Sequence, residues 1–124
     1  RVGLLDEEMS LEDFAEHVKG RLDVPAVRIV GDLTKPVKKV AVLGGDGNKY
    51  LHAAKRAGAD VYVTGDLYFH VAQDADAIGL AVVDPGHHVE KVMIKGVVNH
   101  MSKTQNWQCE FLPSEVSTEP FTFK

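Results

Sequence analysis

The sequence predicts an α/β domain in which helices cover both faces of a central, mostly parallel or mixed sheet. Two observations lead to this layered α-β-α fold class. Short apolar runs alternate with helix-forming stretches three times along the chain, and a polar, glycine-containing turn follows each run. Strand, turn and helix in repeated order is typical of such domains. The chain has 124 residues, of which 44% are hydrophobic, and this is enough to bury a core without disulfides. We therefore expect residues 1–124 to form one domain.

The first predicted element is a helix that begins after Ser10. Ser10 can cap this helix, and Asp13 occupies the position where a capping box has Glu or Gln. Apolar residues then recur at helical spacing and form one stripe. They are Leu11, Phe14, Ala15, Val18 and Leu22. Pro25 follows the end of the helix, and residues 26–30 are predicted to form a strand.

Three strand–turn–helix units account for the middle of the chain. Their predicted strands are residues 40–43, 61–64 and 80–83, and their predicted helices are residues 49–57, 68–78 and 88–101. After them, Trp107, Cys109 and Phe111 alternate with polar residues, which predicts a half-exposed final strand with Trp107 and Cys109 packed on its inner face. We expect the tail after Pro113 to be irregular at first, with 121–123 able to extend an edge.

The composition argues against several classes of protein. A formal net charge of −4 and a pI near 5.8 argue against nucleic-acid binding, which normally requires a basic face. No apolar run approaches the roughly 20 residues that cross a bilayer, so we expect no membrane partner. Cys109 is the single cysteine, which excludes an intramolecular disulfide and favours a reducing, cytoplasmic location.

Chemically active side chains collect in the three turns that follow the repeated strands. These turns span residues 44–47, 64–66 and 84–87. In a parallel sheet they lie along the carboxyl edge, where ligands of open α/β sheets bind. We therefore expect the titratable residues in and after the turns to lie within reach of one another. They are Asp46, Asp66, His70, Asp84, His87, His88 and Glu90.

The segment at residues 86–90 is the strongest metal-site candidate. Residues three apart on a helix share a face, so His87 and Glu90 can offer an imidazole nitrogen and a carboxylate to one ion. A helix N-terminus carries partial positive charge, and such a site therefore needs further carboxylates nearby. The same spacing also fits an ordinary cap region, in which Glu90 is simply favourable in a first turn.

The turn at residues 64–66 gives a weaker signal. Asp66 suits an N-cap, and His70 falls one turn later on a similar face. Taken alone, this pattern favours a capping Asp and a half-buried His. Beside a metal site, we interpret Asp66 and His70 as catalytic residues that orient a ligand or transfer a proton.

The first turn contains Gly44, Gly45 and Gly47. Glycine turns before helices expose backbone N–H groups that can bind a phosphate. We interpret these glycines as facing a substrate phosphate or ring. A tight turn that needs positive φ explains the same residues without a ligand.

Residues 40–90 resemble the Nif-three-like dinuclear-metal family, also called the GTP cyclohydrolase I type-two-like family. The segments 9–15 and 24–28 also look like its members, so the resemblance covers nearly the whole chain. It rests on motifs that occur in order: Gly44-Gly45-Asp46-Gly47, Ala57-Gly58-Ala59-Asp60, Thr64-Gly65-Asp66 with His70, and Asp84-Pro85-Gly86-His87 with Glu90.

The resemblance implies a cytoplasmic, metal-dependent hydrolase or cyclohydrolase that forms ring-shaped homohexamers. It implies a centre of two divalent ions, of zinc, iron or manganese type, with His87 and Glu90 among the metal ligands. The implied substrate is a small molecule, such as a nucleotide or another phosphorylated or heterocyclic compound. The alternatives are a non-enzymatic regulatory or scaffold protein that binds metal and forms rings, and a phosphate-binding module without metal.

One departure from the family pattern limits what this chain can do alone. The family's paired His-His-Pro segment occurs nowhere in the sequence, because the only adjacent histidines are His87 and His88. We therefore expect the chain to be the carboxyl-terminal half of a longer two-domain protein. In that case it holds only part of the metal site.

Overall fold

The architecture was analysed in a computed structural model that describes residues 1–104 and 108–124. Its strands are β1 (Val2–Ser10), β2 (Arg28–Val30), β3 (Pro36–Asp46), β4 (Val61–Gly65) and β5 (Ala81–Asp84). Its α-helices are α1 (Leu11–Leu22), α2 (Leu51–Arg56), α3 (Phe69–Ala77) and α4 (Val92–Thr104). Two 3₁₀ turns, Asn48–Tyr50 and His87–Lys91, precede α2 and α4.

The five strands form one mixed sheet in the order β1-β3-β4-β5-β2. The three central strands are parallel, with Val40 opposite Val61 and Val61 opposite Ala81. Both edge strands run antiparallel to their neighbours. The predicted fold class is confirmed. Because β3, β4 and β5 are parallel, the turns that leave them share one edge, and that edge is called the rim below.

The sheet is covered on both faces because alternate residues of each central strand point to opposite sides. On one face α1 packs its buried residues Leu11, Phe14, Ala15 and Val18 against Val40, Val61, Val63, Ala81 and Val83. On the other face residues from α2 and α3, including Leu51, Ala54 and Ala75, pack with Tyr62, Leu80 and Val82. Strands β4 and β5 are buried on both sides, which explains their continuous apolar runs.

The capping of α1 follows the predicted pattern. Ser10 Oγ accepts a hydrogen bond from the Asp13 N–H at 3.1 Å and donates one to Asp13 Oδ2 at 2.7 Å. The helix ends at Leu22, and Asp23 adopts a left-handed conformation with φ 52°. The side chain of Asp13 thus accepts a hydrogen bond from the hydroxyl of the capping residue Ser10.

Some predicted elements were wrong. The first residues form strand β1, which pairs with β3 at one edge and carries no clear apolar alternation. The predicted strand around Trp107 is not formed by residues 108–112, and Cys109 is exposed rather than packed on an inner face. Trp107 itself lies outside the described residues. The tail segment 121–123 joins no strand.

Boundaries differ at the rim. Strand β3 extends from Pro36 to Asp46, well beyond the predicted residues 40–43. The predicted helix 88–101 is instead a 3₁₀ turn over His87–Lys91 followed by α4 from Val92 to Thr104. In the described part of the chain, no helix is long and apolar enough to span a bilayer.

The packing of α1 makes a testable prediction. Leu11 is fully buried between α1 and the sheet, whereas Leu112 is 73% exposed. We expect Leu11→Ala to lower the free energy of unfolding by about 2–5 kcal/mol, because it removes buried methyl groups and leaves a cavity. Urea denaturation measures the change, and Leu112→Ala is the control. Equal stabilities for the two variants would contradict the assignment of Leu11 to the core.

Candidate metal centre

His87 lies at the rim between two carboxylates. Its Nδ1 is 2.7 Å from Asp66 Oδ2, and its Nε2 is 3.4 Å from Glu90 Oε2. The three side chains come from two turns and are each about half exposed, with side-chain exposures of 58%, 45% and 50% for His87, Asp66 and Glu90. Solvent and small molecules can therefore reach the cluster.

The 3₁₀ turn at His87–Lys91 explains why His87 and Glu90 face each other. A 3₁₀ helix has three residues per turn, so side chains at i and i+3 lie directly above one another. In an α-helix, which the sequence predicts here, residues three apart only share a broad face. The tighter turn brings the imidazole and the carboxylate together.

The protonation of His87 follows from its partners. A carboxylate only accepts hydrogen bonds, so the contact with Asp66 places a proton on Nδ1. In the neutral ring the lone pair of Nε2 then faces Glu90 Oε2 at 3.4 Å. Two acceptors at this distance repel each other unless a cation lies between them. A proton or a metal ion satisfies this arrangement.

The geometry fits two ligands of one metal ion. Zinc binds imidazole nitrogen and carboxylate oxygen at about 2.0–2.2 Å, and two such ligands of a tetrahedral ion lie about 3.3 Å apart. The Nε2–Oε2 distance in this chain is 3.4 Å. Asp66 on the other ring nitrogen completes the carboxylate–histidine arrangement that orients metal-bound histidines. Among residues 1–104 and 108–124, however, no group of three His, Cys, Asp or Glu side chains is placed to hold an ion.

Asp66 reaches His87 from an unusual backbone conformation. Its φ is 54°, and Asp is one of the few residues besides Gly that tolerate the left-handed region. Asn48 Nδ2 donates to the Asp66 carbonyl at 2.9 Å, and Asn48 Oδ1 accepts from the Tyr68 N–H at 2.9 Å. Asn48, which follows the first turn, thus binds the backbone of the second turn on both sides of Leu67.

Asp84 has a different role from the one its position suggested. Its side chain is fully buried, and its Oδ2 accepts hydrogen bonds from the Leu67 N–H at 2.9 Å and from the Arg28 guanidinium. Its Oδ1 accepts from the Gly86 N–H at 2.8 Å. Both oxygens are therefore engaged inside the protein. Asp84 was expected to lie within reach of the other titratable residues of the rim, but its side chain is buried beneath them.

The first turn contributes Asp46 to the rim. Asp46 Oδ2 accepts a hydrogen bond from Tyr68 OH at 2.9 Å, and its Oδ1 accepts from the Asn48 N–H at 3.0 Å. The hydrogen bonds from Asn48 lower the pKa of Asp46, with a further contribution from Tyr68. The hydrogen bond to Asp46 raises the pKa of Tyr68. Asp46 therefore stays ionised and adds negative potential beside His87.

Two of the three glycines in that turn are explained by packing. Gly45 has φ 69°, and a Cβ there would lie 2.6 Å from Glu90 Oε1. A Cβ at Gly47 would lie 2.1 Å from Tyr62 OH and 2.2 Å from Thr64 Oγ1. Any side chain at Gly45 would displace Glu90. Gly44 has open space around it, and its contact with a substrate stays a prediction.

His70 is not drawn into the cluster. It is exposed in the first turn of α3, where its Nδ1 lies 3.2 Å from Gln73 Oε1 and its ring contacts Phe69 edge-to-face. These are contacts within its own helix. His70 was expected within reach of Asp66; its observed contacts are instead with Gln73 and Phe69, and its catalytic role stays a prediction. His88, the neighbour of His87, is half-buried.

The carboxylates control the charge of His87. The hydrogen bond to Asp66 raises the pKa of His87, and the negative charges of Asp66, Glu90 and Asp46 add to the increase. The ring is therefore protonated at a higher pH than an ordinary histidine. Because a protonated ring has no lone pair for an ion, metal binding and proton binding compete at Nε2.

Fold and rim together define an α/β domain that presents one histidine between two carboxylates at the carboxyl edge of its sheet. The chain belongs to the Duf34/NIF3 (NGG1p interacting factor 3) family, whose pattern matches residues 1–120. It is 60% identical over 126 aligned residues to a Bacillus subtilis protein named GTP cyclohydrolase 1 type 2 homolog, covering 99% of this chain and 34% of that protein. The chain therefore spans about a third of that relative's length.

Solved structures agree with this assignment. A Bacillus cereus protein related to NIF3 superposes with a TM-score of 0.90 at 55% identity, over 99% of this chain and 35% of that one. A Staphylococcus aureus hypothetical protein superposes with a TM-score of 0.94 at 35% identity, over 99% of this chain and 42% of that one. The resemblance inferred from the four motifs is thus confirmed as family membership.

The His87–Asp66 contact predicts a pH effect. We expect Asp66→Asn to lower the pKa of His87, because an amide removes the charge that favours the imidazolium; Asn also tolerates positive φ. Since the folded pKa lies above 6.5, the contact stabilises the fold fully below the unfolded pKa and less as pH rises through the folded one. NMR titration of the ring protons measures the shift. An unchanged pKa in Asp66→Asn would contradict the contact.

Proposed function

We propose that this chain supplies part of the dinuclear metal site of a hydrolase-like protein, with His87 and Glu90 as ligands. One observation carries the proposal: Nε2 of His87 faces Glu90 Oε2 at 3.4 Å while Nδ1 is held by Asp66 at 2.7 Å. This pairing places two electron-pair donors side by side, where either a proton or a metal ion can lie between them. The other donors of that ion, and the donors of the second ion, must come from outside this pair of residues.

The donor chemistry supports zinc, iron or manganese over magnesium, because imidazole and carboxylate together suit those ions. When bound, two such ions supply Lewis acidity that lowers the pKa of a shared water toward neutrality. The side chains of this chain provide the surroundings. Asp66 keeps the proton on Nδ1 of His87, and the charge of Asp46 offsets the positive charge of the ions.

The missing donors agree with the length of the chain. It spans about a third of its Bacillus subtilis relative, so residues elsewhere in a longer polypeptide have room to complete the site. We propose that the complete protein forms a homohexameric ring in the cytoplasm, as the family resemblance implies. The rim is then one wall of the site, and the chain alone holds the ions weakly.

The proposed substrate is a small molecule with a phosphate or heterocyclic ring, such as a nucleotide. The name GTP cyclohydrolase 1 type 2 homolog, carried by the Bacillus subtilis relative, supports this class. The exposed ring of Tyr68, 57% accessible beside Asp46, offers a surface on which a flat ring can stack. Proton transfer is assigned to Asp66, and to His70 if substrate or another part of the protein brings it closer.

A second candidate is a regulatory or scaffold protein in which metal stabilises a ring. Helix α4 favours this possibility, because none of its residues, all of them described, is buried. Val92, Met93 and Val97 are between 45% and 60% exposed on it. Exposed apolar side chains of this kind mark contact surfaces. Both candidates contain the metal site. In the first the metal takes part in catalysis, and in the second it stabilises the assembly.

Metal binding by the isolated chain is directly testable. We expect zinc to bind with a dissociation constant weaker than about micromolar, because two ligands leave half of a tetrahedral shell to water. Glu90→Gln should remove the binding that remains, since the amide is a poor ligand, and the exposed His52→Ala is the control. Calorimetric titration measures both. Submicromolar affinity would mean that further residues of this chain complete the site.

The enzyme and scaffold candidates separate in a full-length family member that carries these residues. In an enzyme, we expect Glu90→Gln to reduce turnover of a nucleotide substrate by about a hundredfold or more, as loss of a catalytic metal ligand does, while the oligomer survives. In a scaffold, the same substitution should dissociate the ring or abolish partner binding. Activity assays and light scattering on the same samples distinguish the two results.

A further inference from the structure

Arg28, which the sequence did not associate with the site, forms an ion pair with Asp84 beneath the rim. They lie directly opposite each other in the antiparallel β2–β5 ladder. The carboxylate of Asp84 is fully buried, while the Arg28 side chain is 67% exposed. A buried carboxylate is costly unless it is paired and fully hydrogen-bonded. Here the arginine reaches in from the edge strand to satisfy it.

The pair holds the two turns that meet at His87. Arg28 Nη2 donates to the Leu67 carbonyl at 3.0 Å and also to Asp84. Asp84 in turn accepts from the Leu67 N–H at 2.9 Å and the Gly86 N–H at 2.8 Å. Leu67 directly follows Asp66, and Gly86 directly precedes His87. Both residues of the 2.7 Å contact therefore have a neighbour fixed by the same buried carboxylate.

The turns at the rim pack closely against one another. A Cβ at Gly65 would lie 3.0 Å from the Gly86 carbonyl oxygen and 3.4 Å from the Gly45 carbonyl oxygen. The turns thus approach each other closely through backbone atoms. Asp84 connects the turns after β4 and β5, because its two oxygens accept one N–H from each turn.

We propose that Arg28 is a positioning residue, which acts through Asp84 to keep Asp66 on Nδ1 of His87 and thereby keeps Nε2 free to bind a metal ion. The metal half of this statement rests on the proposed function; the geometric half does not. Arg28 touches neither His87 nor the proposed ion. Its removal should therefore change the site only through the contact between Asp66 and His87.

The first measurement needs no metal. In the wild-type chain, nitrogen NMR at a pH where His87 is neutral should show the Nδ1–H tautomer that Asp66 selects. In Arg28→Ala the population should shift toward the Nε2–H tautomer, which free imidazole prefers in water. Arg56→Ala, which removes an exposed arginine in the last turn of α2, should leave the tautomer unchanged. Urea denaturation identifies which variants are folded.

The second measurement is zinc affinity in a double-mutant cycle. Arg28→Ala should weaken zinc binding by about tenfold or more, the usual effect of losing a group that orients a ligand. In an Asp66→Asn background the same substitution should have no further effect, because the residue it acts through is gone. If Arg28→Ala does not fold, Arg28→Lys replaces it; this change keeps a charge beside Asp84 and should shift both readouts in the same direction by less.

The outcomes are distinct for the two proposals. A folded Arg28 variant with the wild-type tautomer, or with zinc losses that simply add to those of Asp66→Asn, would overturn the positioning role. A full-length family member with these residues that binds no zinc, while the tautomer of this chain responds to Arg28→Ala, would reject the metal proposal and support the positioning role.

Discussion

The rim of this domain depends on one buried carboxylate. Asp84 ends strand β5 with its side chain completely inside the protein, and its oxygens bind backbone N–H groups of two different turns. An ionised group in such a place demands several donors at once. That demand fixes the turns after β4 and β5 relative to each other. The contact between Asp66 and His87 follows from it, as does the direction in which Nε2 points.

A second layer of contacts ties the first turn to the other two. Asn48 binds the backbone on either side of Leu67, and Tyr68 OH returns to Asp46. Gly45 allows Glu90 to approach the turn closely. Three turns are thus joined by side-chain to backbone bonds, which keep titratable groups exposed in a fixed arrangement. Such preorganisation suits a site that binds ions or transfers protons, since little reorganisation is needed on binding.

Much of this arrangement follows from local patterns in the sequence. The apolar stripe from Leu11 to Leu22 predicted α1, because its spacing matches one helix face. The three glycine-containing turns predicted the rim, because parallel strands bring their carboxyl ends together. The pairing of His87 with Glu90 followed from their separation of three residues. The four ordered motifs also identified the family.

The remaining features depend on contacts between distant residues. Nothing near Arg28 indicates that it crosses to Asp84, since the pairing requires knowing that β2 lies antiparallel to β5. Strand β1 forms because it pairs with β3, and its own sequence has no apolar alternation that predicts a strand. His70 was misplaced because helical phase alone does not tell which way the first turn of α3 faces. The alternation around Cys109 resembles a strand, but residues 108–112 form no strand in the described fold.

Helix α4 begins at the residue after the 3₁₀ turn that carries His87 and Glu90, and none of its residues is fully buried. A protein surface that binds α4 would therefore also restrain the 3₁₀ turn His87–Lys91. If this restraint raises the affinity of the site for an ion, thermodynamic reciprocity requires that a bound ion raise the affinity of α4 for its partner by the same factor. Metal binding at His87 and Glu90 and partner binding at α4 would then each increase the affinity of the other.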